Sequence, residues 1–402
     1  MHKSAWLLLF VPVFAEAADP AWLEYGGDAT TVIARTIVTS GGQCPSIVVD
    51  GKRAPMTVRA AASSGYQVTV CEAAVPRTAK SIRIGTTELP AHKLDAHTRV
   101  AILGDTGCRR QQGYPPQNCS DEKEWPFAAV AASIAAWDPD LILHVGDYYY
   151  RAAKSCTNTT CSETTVFDWT RWRKDFFAPA HRLLQKAPWV FVRGNHEACS
   201  TAAEGWFRFL DTRTYVPSQT ACAASSFTEP YVAKVGAMQF LILDSSAVQQ
   251  NDTSQTQMFA AQLQQYAGAI EGNAWLMLHH PFWGIGDGQV ETQTLWTAWQ
   301  QAGAATKSIS LVLTGHIHLL QMLSFDSAPP QAIIGDGGTT LVSEDPPPTS
   351  IGGRTVTSFT QRDKYGFIAA TPSTNGWTFD VRDTRGKSTG KCAVTATSIV
   401  CD

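Results

Sequence analysis

Long apolar runs are almost missing from this sequence. Beyond the N-terminus no segment is long and apolar enough to span a bilayer, so a transmembrane helix is not expected. Charged residues make up only 17% of the chain, with a formal net charge of -3 and both signs interspersed. A basic face for nucleic acid or an anionic membrane is therefore not expected either.

A cysteine-based metal signature is absent as well. No Cys-x-x-Cys spacing occurs, which argues against a zinc site built from cysteines, the alternative use for these residues. A Ser-His-Asp hydrolase is a further alternative, but it would leave the histidine motifs of the chain unexplained. The 10 cysteines form an even set, which favours disulfides in an exported protein. The simplest expectation is pairing along the chain, because each pair closes a short loop: Cys44–Cys71, Cys108–Cys119, Cys156–Cys161, Cys199–Cys222 and Cys392–Cys401.

The N-terminus has the pattern of an export signal. A basic start around Lys3 precedes an apolar run from Ala5 to Phe14, and Ala15-Glu16-Ala17 is a small-x-small cleavage site. The alternative is a buried N-terminal strand or helix, but Pro12 interrupts the run. We therefore expect residues 1–17 to be a signal peptide cleaved near Ala17, and the protein to be secreted or periplasmic.

The remaining chain is long enough for one large core and a smaller unit. Residues 18–97 contain short β-prone runs separated by Gly, Pro, Ser and Asp, which predicts a small all-β sandwich of the fibronectin III or immunoglobulin type. Residues 98–382 are expected to form a layered α/β unit, and residues 383–402 a disulfide-closed C-terminal hairpin.

The larger unit alternates apolar strand-like runs with amphipathic stretches. Helical stretches are predicted at residues 127–137, 169–185 and 255–270. This alternation predicts a layered α/β fold with central strands buried on both faces. Strands are expected at residues 100–103, 141–145, 189–192, 240–243, 275–278 and 309–313.

Five short polar motifs each follow one of these strands, where the edge of a sheet would carry a functional site. Any one of them is a weak signal, because an Asp after a strand is often a turn or a helix cap. All five in this order are much stronger evidence for a metal site. The motifs are Gly104-Asp105-Thr106-Gly107, Gly146-Asp147-Tyr148-Tyr149-Tyr150, Gly194-Asn195-His196-Glu197, His279-His280-Pro281 and Gly315-His316-Ile317-His318.

The five motifs resemble the signature of the calcineurin-like metallophosphoesterase superfamily over roughly residues 99–320. Most members of that superfamily carry a His two positions after the first Asp, where this chain has Gly107. A Tyr three residues after the second Asp, here Tyr150, is the exchange that marks the purple acid phosphatase branch. The resemblance implies an αββα sandwich behind the smaller N-terminal β-sandwich domain.

The resemblance also implies two metal sites that share Asp147. The first metal would be held by Asp105, Asp147, Tyr150 and His318, and the second by Asp147, Asn195, His279 and His316. Carboxylate and phenolate oxygens suit a trivalent ion, whereas imidazole and amide groups suit a divalent one. The expected pair is Fe(III) with Zn(II), Mn(II) or Fe(II), about 4 Å apart, with metal-bound hydroxide attacking a small phosphoester substrate.

Other polar residues near the motifs are weaker candidates. His196 is the first candidate for the acid that protonates the leaving group, although a structural hydrogen bond explains it equally well. Asp287 is a second candidate, because the histidines of plant-type members are replaced here by Gly288 and Gln289. The candidate substrate contacts are His280, Arg109 and Arg110; Glu197 is expected to orient a ligand, and His144 to be a core histidine.

The leading hypothesis is an exported phosphomonoesterase of the purple acid phosphatase type. The same site acting on phosphodiesters, such as nucleotides or lipid headgroups, is the closest alternative, because both reactions need the same ions. A non-catalytic surface-binding protein on this scaffold is an alternative of another class; a missing metal ligand would be its signature, and no ligand is missing from the sequence. The sequence makes no prediction of the oligomeric state.

Overall fold

The computed structural model describes residues 20–39, 42–91, 98–286, 288–290 and 292–402. The predicted signal peptide and its cleavage site near Ala17 lie outside these residues. The strands of the N-terminal region are β1 (Ala21–Glu24), β2 (Thr31–Thr39), β3 (Ser46–Val49), β4 (Lys52–Pro55), β5 (Thr57–Ala60), β6 (Val68–Pro76), β7 (Ile82–Ile84) and β8 (Thr87–Leu89).

The strands of the following region are β9 (Val100–Leu103), β10 (Leu141–His144), β11 (Trp189–Phe191), β12 (Tyr231–Val235), β13 (Met238–Ile242), β14 (Ala274–Met277), β15 (Ile285–Gly286), β16 (Gln289–Val290), β17 (Ile309–Thr314), β18 (Leu320–Phe325) and β19 (Gln331–Ile334). The chain ends in β20 (Ser350–Ile351), β21 (Arg354–Arg362), β22 (Gly366–Ser373), β23 (Gly376–Asp383), β24 (Ser388–Val394) and β25 (Ile399–Cys401). The helices are α1 (Phe127–Trp137), α2 (Trp169–Trp172), α3 (His181–Leu184), α4 (Ala203–Phe209), α5 (Ser218–Ala224), α6 (Thr253–Gln262) and α7 (Gln293–Ala302).

Two large mixed sheets form the centre of the molecule. In the described residues the first sheet has the strand order β25-β24-β23-β22-β9-β10-β11-β1-β2-β6-β5, and the second has the order β12-β13-β14-β17-β19-β18-β21-β20. The strands β9, β10 and β11 run parallel, as do β13, β14, β17 and β19. All four residues of β9 and of β10 are buried, as expected for strands covered on both faces.

The two sheets pack face to face, and helices cover their outer faces. One core cluster joins Ile102 and Leu143 of the first sheet to Met277 and Leu313 of the second. A second cluster packs α1, α3 and α4 on the first sheet, and a third packs α6 and α7 on the other. The predicted αββα layering is therefore confirmed, with an all-β region in front of it.

The N-terminal region is continuous with the first sheet. Strand β1 pairs in parallel with β11, and β2, β6 and β5 extend the same sheet beyond it. Strands β4, β3, β7 and β8 form a separate small sheet. The proposed domain boundaries stay predictions, but hydrogen bonds run from the N-terminal strands directly into the larger unit.

Two buried arginines fasten this region to the C-terminal end of α4 and the residues that follow it. Arg59 donates hydrogen bonds to the backbone oxygens of Phe207, Asp211 and Arg213 at 2.7–2.8 Å and to that of Arg208 at 3.0 Å. Arg35 donates to the Phe209 and Asp211 oxygens and pairs with Glu24 at 2.6 Å. Separation of the two regions would leave both guanidinium groups without these backbone acceptors.

The five predicted disulfides are all formed: Cys44–Cys71, Cys108–Cys119, Cys156–Cys161, Cys199–Cys222 and Cys392–Cys401. The last joins the paired strands β24 and β25, which form the expected C-terminal hairpin.

Among the helices of the described residues, none combines the length and the apolarity needed to cross a membrane.

The prediction of one helix over residues 169–185 was wrong. The structure has α2, a π-helical turn at Arg173–Phe177, and α3 after a further turn. The π turn brings Phe176, Phe177 and Asp175 inward together, and all three side chains are buried. Contacts with the core, which the local helical periodicity does not encode, therefore decide the course of this segment.

Candidate metal centre

The five motifs meet at the carboxyl ends of adjacent strands. Asp105 follows β9, Asp147 follows β10, Asn195 follows β11, His279 follows β14, and His316 and His318 follow β17. Asp105, Asp147 and His316 have backbone φ angles of 53°, 62° and 72°, in the left-handed region that residues with side chains rarely adopt. Such strain persists only where surrounding contacts hold it, and it gathers at functional sites.

The predicted ligands of the first metal are in mutual contact. The Tyr150 hydroxyl lies 2.7 Å from Asp147 Oδ2, 3.0 Å from Asp105 Oδ1 and 2.9 Å from His318 Nε2. His318 Nε2 is 3.5 Å from Asp105 Oδ1. Donor atoms of Asp105, Asp147 and His318 lie within 4.8 Å of one another, and all three side chains are buried. Four buried donor groups therefore point at one small volume.

The predicted ligands of the second metal converge beside them. Asn195 Oδ1 is 2.9 Å from His279 Nε2 and 3.0 Å from His316 Nδ1. His279 Nε2 is also 3.1 Å from Asp147 Oδ2, so Asp147 contacts both groups of side chains. Burial alone would lower the pKa of His279, but the Asp147 carboxylate raises it to about 9.

Glycines permit the close approach of these strand ends. A Cβ atom at Gly194 would lie 2.0 Å from Asp147 Oδ1, and one at Gly315 would lie 2.3 Å from Asp105 Oδ2. A side chain at either position would therefore displace a carboxylate from the cluster. This steric requirement explains the glycine that begins the third motif and the one that begins the fifth.

Hydrogen bonds to the backbone orient two of the rings. His279 Nδ1 lies 2.8 Å from Val145 O, and His318 Nδ1 lies 3.1 Å from Thr340 O. A ring that donates from Nδ1 presents the lone pair of Nε2, which in both residues faces the cluster. This is how carbonyl oxygens commonly fix the tautomer of metal-ligating histidines.

Glu197 supports the loop that carries the second motif. Its fully buried carboxylate accepts hydrogen bonds from the backbone N–H groups of Asp147, Tyr148, Tyr149 and Gly194, at 2.9–3.2 Å. Burial, reinforced by the negative charge of Asp147, raises the pKa of Glu197 to about 8. Its contacts are with loop backbone rather than with a ligand side chain, and they join the second and third motifs.

Asp175 is a supporting residue that the sequence reasoning missed. Its buried Oδ2 accepts hydrogen bonds from the backbone N–H groups of Tyr150 and Arg151, both at 2.9 Å. Its Oδ1 accepts from Arg151 Nε at 2.8 Å. Asp175 thus fixes the backbone from which Tyr150 projects. No local motif marks it, because it lies in the π turn of a segment that was predicted to be helical.

Three histidines beside the cluster have different surroundings. The His196 ring packs on Tyr150 with 3.8 Å between ring centroids, and its Nδ1 is 3.1 Å from Tyr149 O. The His280 ring lies against His316, and burial lowers the pKa of His280 to about 3. His144 is fully buried and bonded to Thr106 Oγ1 at 3.0 Å, as expected for a core histidine.

The remaining candidates are the two arginines and Asp287. Arg109 Nη2 lies 2.7 Å from His318 Nδ1, next to the cluster. Arg110 instead directs Nη2 to Cys156 O at 3.3 Å. Asp287 lies outside the described residues, so its predicted role stays a prediction.

The donor set fits two ions that share one carboxylate. Oxygen donors dominate the first group, and imidazole nitrogens with an amide oxygen form the second, which matches a harder and a softer cation. Buried carboxylates, a phenol and imidazoles at such short separations are otherwise costly, because several of these groups repel one another or compete for the same protons. Two cations bound here would supply the missing counter-charge.

Comparison with known proteins places this geometry in a family. The family model for calcineurin-like phosphoesterases matches residues 98–320, more than half of the chain. No curated protein shows significant sequence similarity to this chain. The fold and the site therefore define a phosphoric ester hydrolase whose family binds a dinuclear metal centre. The chain belongs to the calcineurin-like phosphoesterase family, as its motifs predicted.

Solved structures with the same fold have little sequence in common with this chain. The purple acid phosphatase PPD1 from yellow lupin (Lupinus luteus) seeds aligns with a TM-score of 0.57 at 14% identity, covering 92% of this chain and 73% of its own. PhoD aligns with a TM-score of 0.56 at 12% identity, and the alignment covers 95% of this chain and 91% of PhoD. GAP50 of Plasmodium, described as the anchor in the inner membrane complex, aligns with a TM-score of 0.50 at 13% identity. The alignment covers 75% of this chain and 89% of GAP50. At these identities the likeness concerns the fold alone.

Proposed function

We propose that this protein is an exported phosphomonoesterase of the purple acid phosphatase type. The observation that carries the proposal is the position of Tyr150, whose hydroxyl touches Asp105, Asp147 and His318. A Cβ atom at Gly107 would lie 2.8 Å from both the ring and the backbone nitrogen of Tyr150. The two exchanges that distinguish this branch are thus physically linked, because a His at position 107 would occupy the space of the tyrosine.

In this proposal Asp105, Asp147, Tyr150 and His318 hold Fe(III), and Asp147, Asn195, His279 and His316 hold Zn(II), Mn(II) or Fe(II). When bound, such a pair lowers the pKa of a coordinated water and fixes two oxygens of a phosphoester. The protein orients the ligands through Glu197, Asp175 and the carbonyl contacts of its histidines. It thereby holds the geometry that in-line displacement needs.

His196 is the proposed proton donor to the leaving group. Its Nδ1 donates to the Tyr149 carbonyl oxygen, so the protonated ring carries on Nε2 the proton that can pass to the leaving group. The ring is partly exposed and packs on Tyr150, at the edge of the first metal group. A group in this place can reach an oxygen that departs from a phosphorus held by both ions.

Export is supported by the cysteines together with the sequence of the N-terminus. All 10 cysteines are paired in disulfides, which persist in oxidising compartments outside the cytosol. The proposal therefore includes secretion or transfer to a periplasm. Mass determination of the N-terminus of the exported protein tests it, and a mature chain that retains Met1 would contradict cleavage near Ala17.

The substrate preference is tested with two aryl esters. Metal-loaded protein is expected to hydrolyse 4-nitrophenyl phosphate with a higher kcat/KM than bis(4-nitrophenyl) phosphate. The reverse order would favour the phosphodiesterase alternative, which uses the same ions. Hydrolysis of neither ester by protein with full metal content would favour a binding protein on this scaffold.

Replacing Tyr150 with Phe is expected to remove the visible absorption of the protein. A phenolate bound to Fe(III) absorbs visible light and gives a violet to pink colour, and Phe offers no oxygen to the ion. Absorption spectra of the wild type and of Tyr150→Phe, at matched iron content, provide the measurement.

Tyr149→Phe is the matched control for this substitution, because the Tyr149 hydroxyl bonds Val166 O at 2.6 Å instead of joining the cluster. That variant should keep the colour. A fully metallated wild type without visible absorption would exclude the ferric assignment.

A further inference from the structure

Arg109 places a positive charge beside the predicted metal ligands without an acidic partner. Its Nη2 is 2.7 Å from His318 Nδ1, and its guanidinium carbon is 5.8 Å from the centre of the Tyr150 ring. Among the described residues, no Asp or Glu forms an ion pair with it, and its Nε is buried without a hydrogen-bond partner. A guanidinium without an acidic partner can form charge-assisted hydrogen bonds with a bound anion.

The loop that carries Arg109 is anchored on several sides. The Cys108–Cys119 disulfide closes it next to Arg109. Within the loop that this disulfide closes, the backbone N–H of Arg109 donates to Gln117 Oε1 at 2.7 Å, and the backbone N–H of Gln117 donates to Arg109 O at 2.9 Å. Gln117 Nε2 donates in turn to Glu124 O at 2.6 Å. The backbone of Arg109 is therefore fixed, and its charge is held in place before any ligand arrives.

The side chain is oriented by contacts that leave its donors unsatisfied. The guanidinium carbon lies 4.8 Å from the centre of the Tyr114 ring, which is 49% exposed. Its single acceptor among the described residues, His318 Nδ1, also faces Thr340 O at 3.1 Å. One ring nitrogen cannot donate to Thr340 and accept from Arg109 at once. If His318 donates to Thr340, the guanidinium has no protein acceptor.

The chemistry of the ester then identifies the group that Arg109 suits. A phosphate monoester has three non-bridging oxygens, whereas a diester has two. Two bound metal ions would take two of these oxygens, so only a monoester, or inorganic phosphate, would keep a further non-bridging oxygen for a cationic donor. We propose that Arg109 binds this third oxygen and thereby sets a preference for monoesters; this rests on the proposed function.

The test compares Arg109→Ala, Arg109→Lys and the control Arg182→Ala, whose side chain is exposed on α3. Three quantities are measured on metal-loaded protein: kcat/KM for 4-nitrophenyl phosphate and for bis(4-nitrophenyl) phosphate, the dissociation constant of inorganic phosphate by calorimetry, and metal content. Arg109→Ala should lower kcat/KM for the monoester and weaken phosphate binding by about 10- to 100-fold, the effect of losing one charge-assisted hydrogen bond. The kcat/KM for the diester should fall by less than about threefold, and the metal content should stay unchanged.

Arg109→Lys should recover part of the loss, because it keeps the charge but not the planar fork. Equal losses on both esters, or phosphate binding as tight as in the wild type, would overturn the proposal. So would loss of metal from Arg109→Ala, since Arg109 would then serve only to support His318. The proposed function fails if the wild type prefers the diester. The proposal about Arg109 fails separately, if Arg109→Ala binds inorganic phosphate as tightly as the wild type, so the two failures are distinguishable.

Discussion

Asp147→Asn is expected to lower kcat/KM for an aryl phosphate by about 1,000-fold or more, because both predicted metal sites lose their shared charge. Asp147 Oδ2 lies 2.7 Å from the Tyr150 hydroxyl and 3.1 Å from His279 Nε2. Its Oδ1 accepts a hydrogen bond from the backbone N–H of His196 at 2.9 Å. An amide of the same shape carries no charge, so it would hold two cations far less strongly.

The control for this substitution is Asp138→Asn. Asp138 is exposed and also has a positive φ angle, 60°, so the two variants share the backbone requirement but not the site. Activity and metal content are measured for both. Near-normal activity of Asp147→Asn, or an equal loss in Asp138→Asn, would contradict the assignment of Asp147 as the bridging ligand.

Arg59→Ala is expected to lower the free energy of unfolding by about 3 kcal/mol or more, through the loss of buried, charge-assisted hydrogen bonds. The substitution leaves the backbone oxygens of Phe207, Arg208 and Arg213 without the donor that satisfies them. It also removes a partner of Glu72, 3.1 Å away. Urea titration followed by tryptophan fluorescence measures the change.

Arg53→Ala serves as the comparison, since Arg53 is exposed on β4 of the same N-terminal region. It should change the free energy of unfolding by less than about 0.5 kcal/mol. If Arg59→Ala is no more destabilising than Arg53→Ala, the N-terminal region is not held to the larger unit by this network.

The position of the candidate site could be predicted from the sequence because its parts are local. Each motif directly follows a short apolar run, and the carboxyl ends of parallel strands lie at one edge of a sheet. Strand β9 coincides with its predicted bounds, and β10, β11 and β14 differ by one residue at one or both ends. The cysteine pairs were predictable for the same reason, since each closes a short loop.

Features that depend on distant parts of the chain could not be predicted. Strand β1 is a short apolar segment whose parallel pairing with β11 joins residues far apart in sequence. Asp175 acts through the backbone of Tyr150, and no periodicity or spacing connects the two. The place of Arg109 beside His318 likewise depends on how the Cys108–Cys119 loop folds back on the sheet edge.

The fold by itself does not settle catalysis, because structures sharing it include both a purple acid phosphatase and a protein described as a membrane-complex anchor. What distinguishes an enzyme on this scaffold is the presence of every metal-binding side chain. In this chain the donor atoms of all seven candidates lie within hydrogen-bonding reach of at least one other.

Metal analysis of the purified protein tests that convergence most directly. Protein prepared without chelators and quantified by mass spectrometry of its metals should contain two ions per chain, and its esterase activity should disappear on removal of the ions and return when they are restored. A protein that hydrolyses phosphoesters equally well with no bound metal would contradict the account.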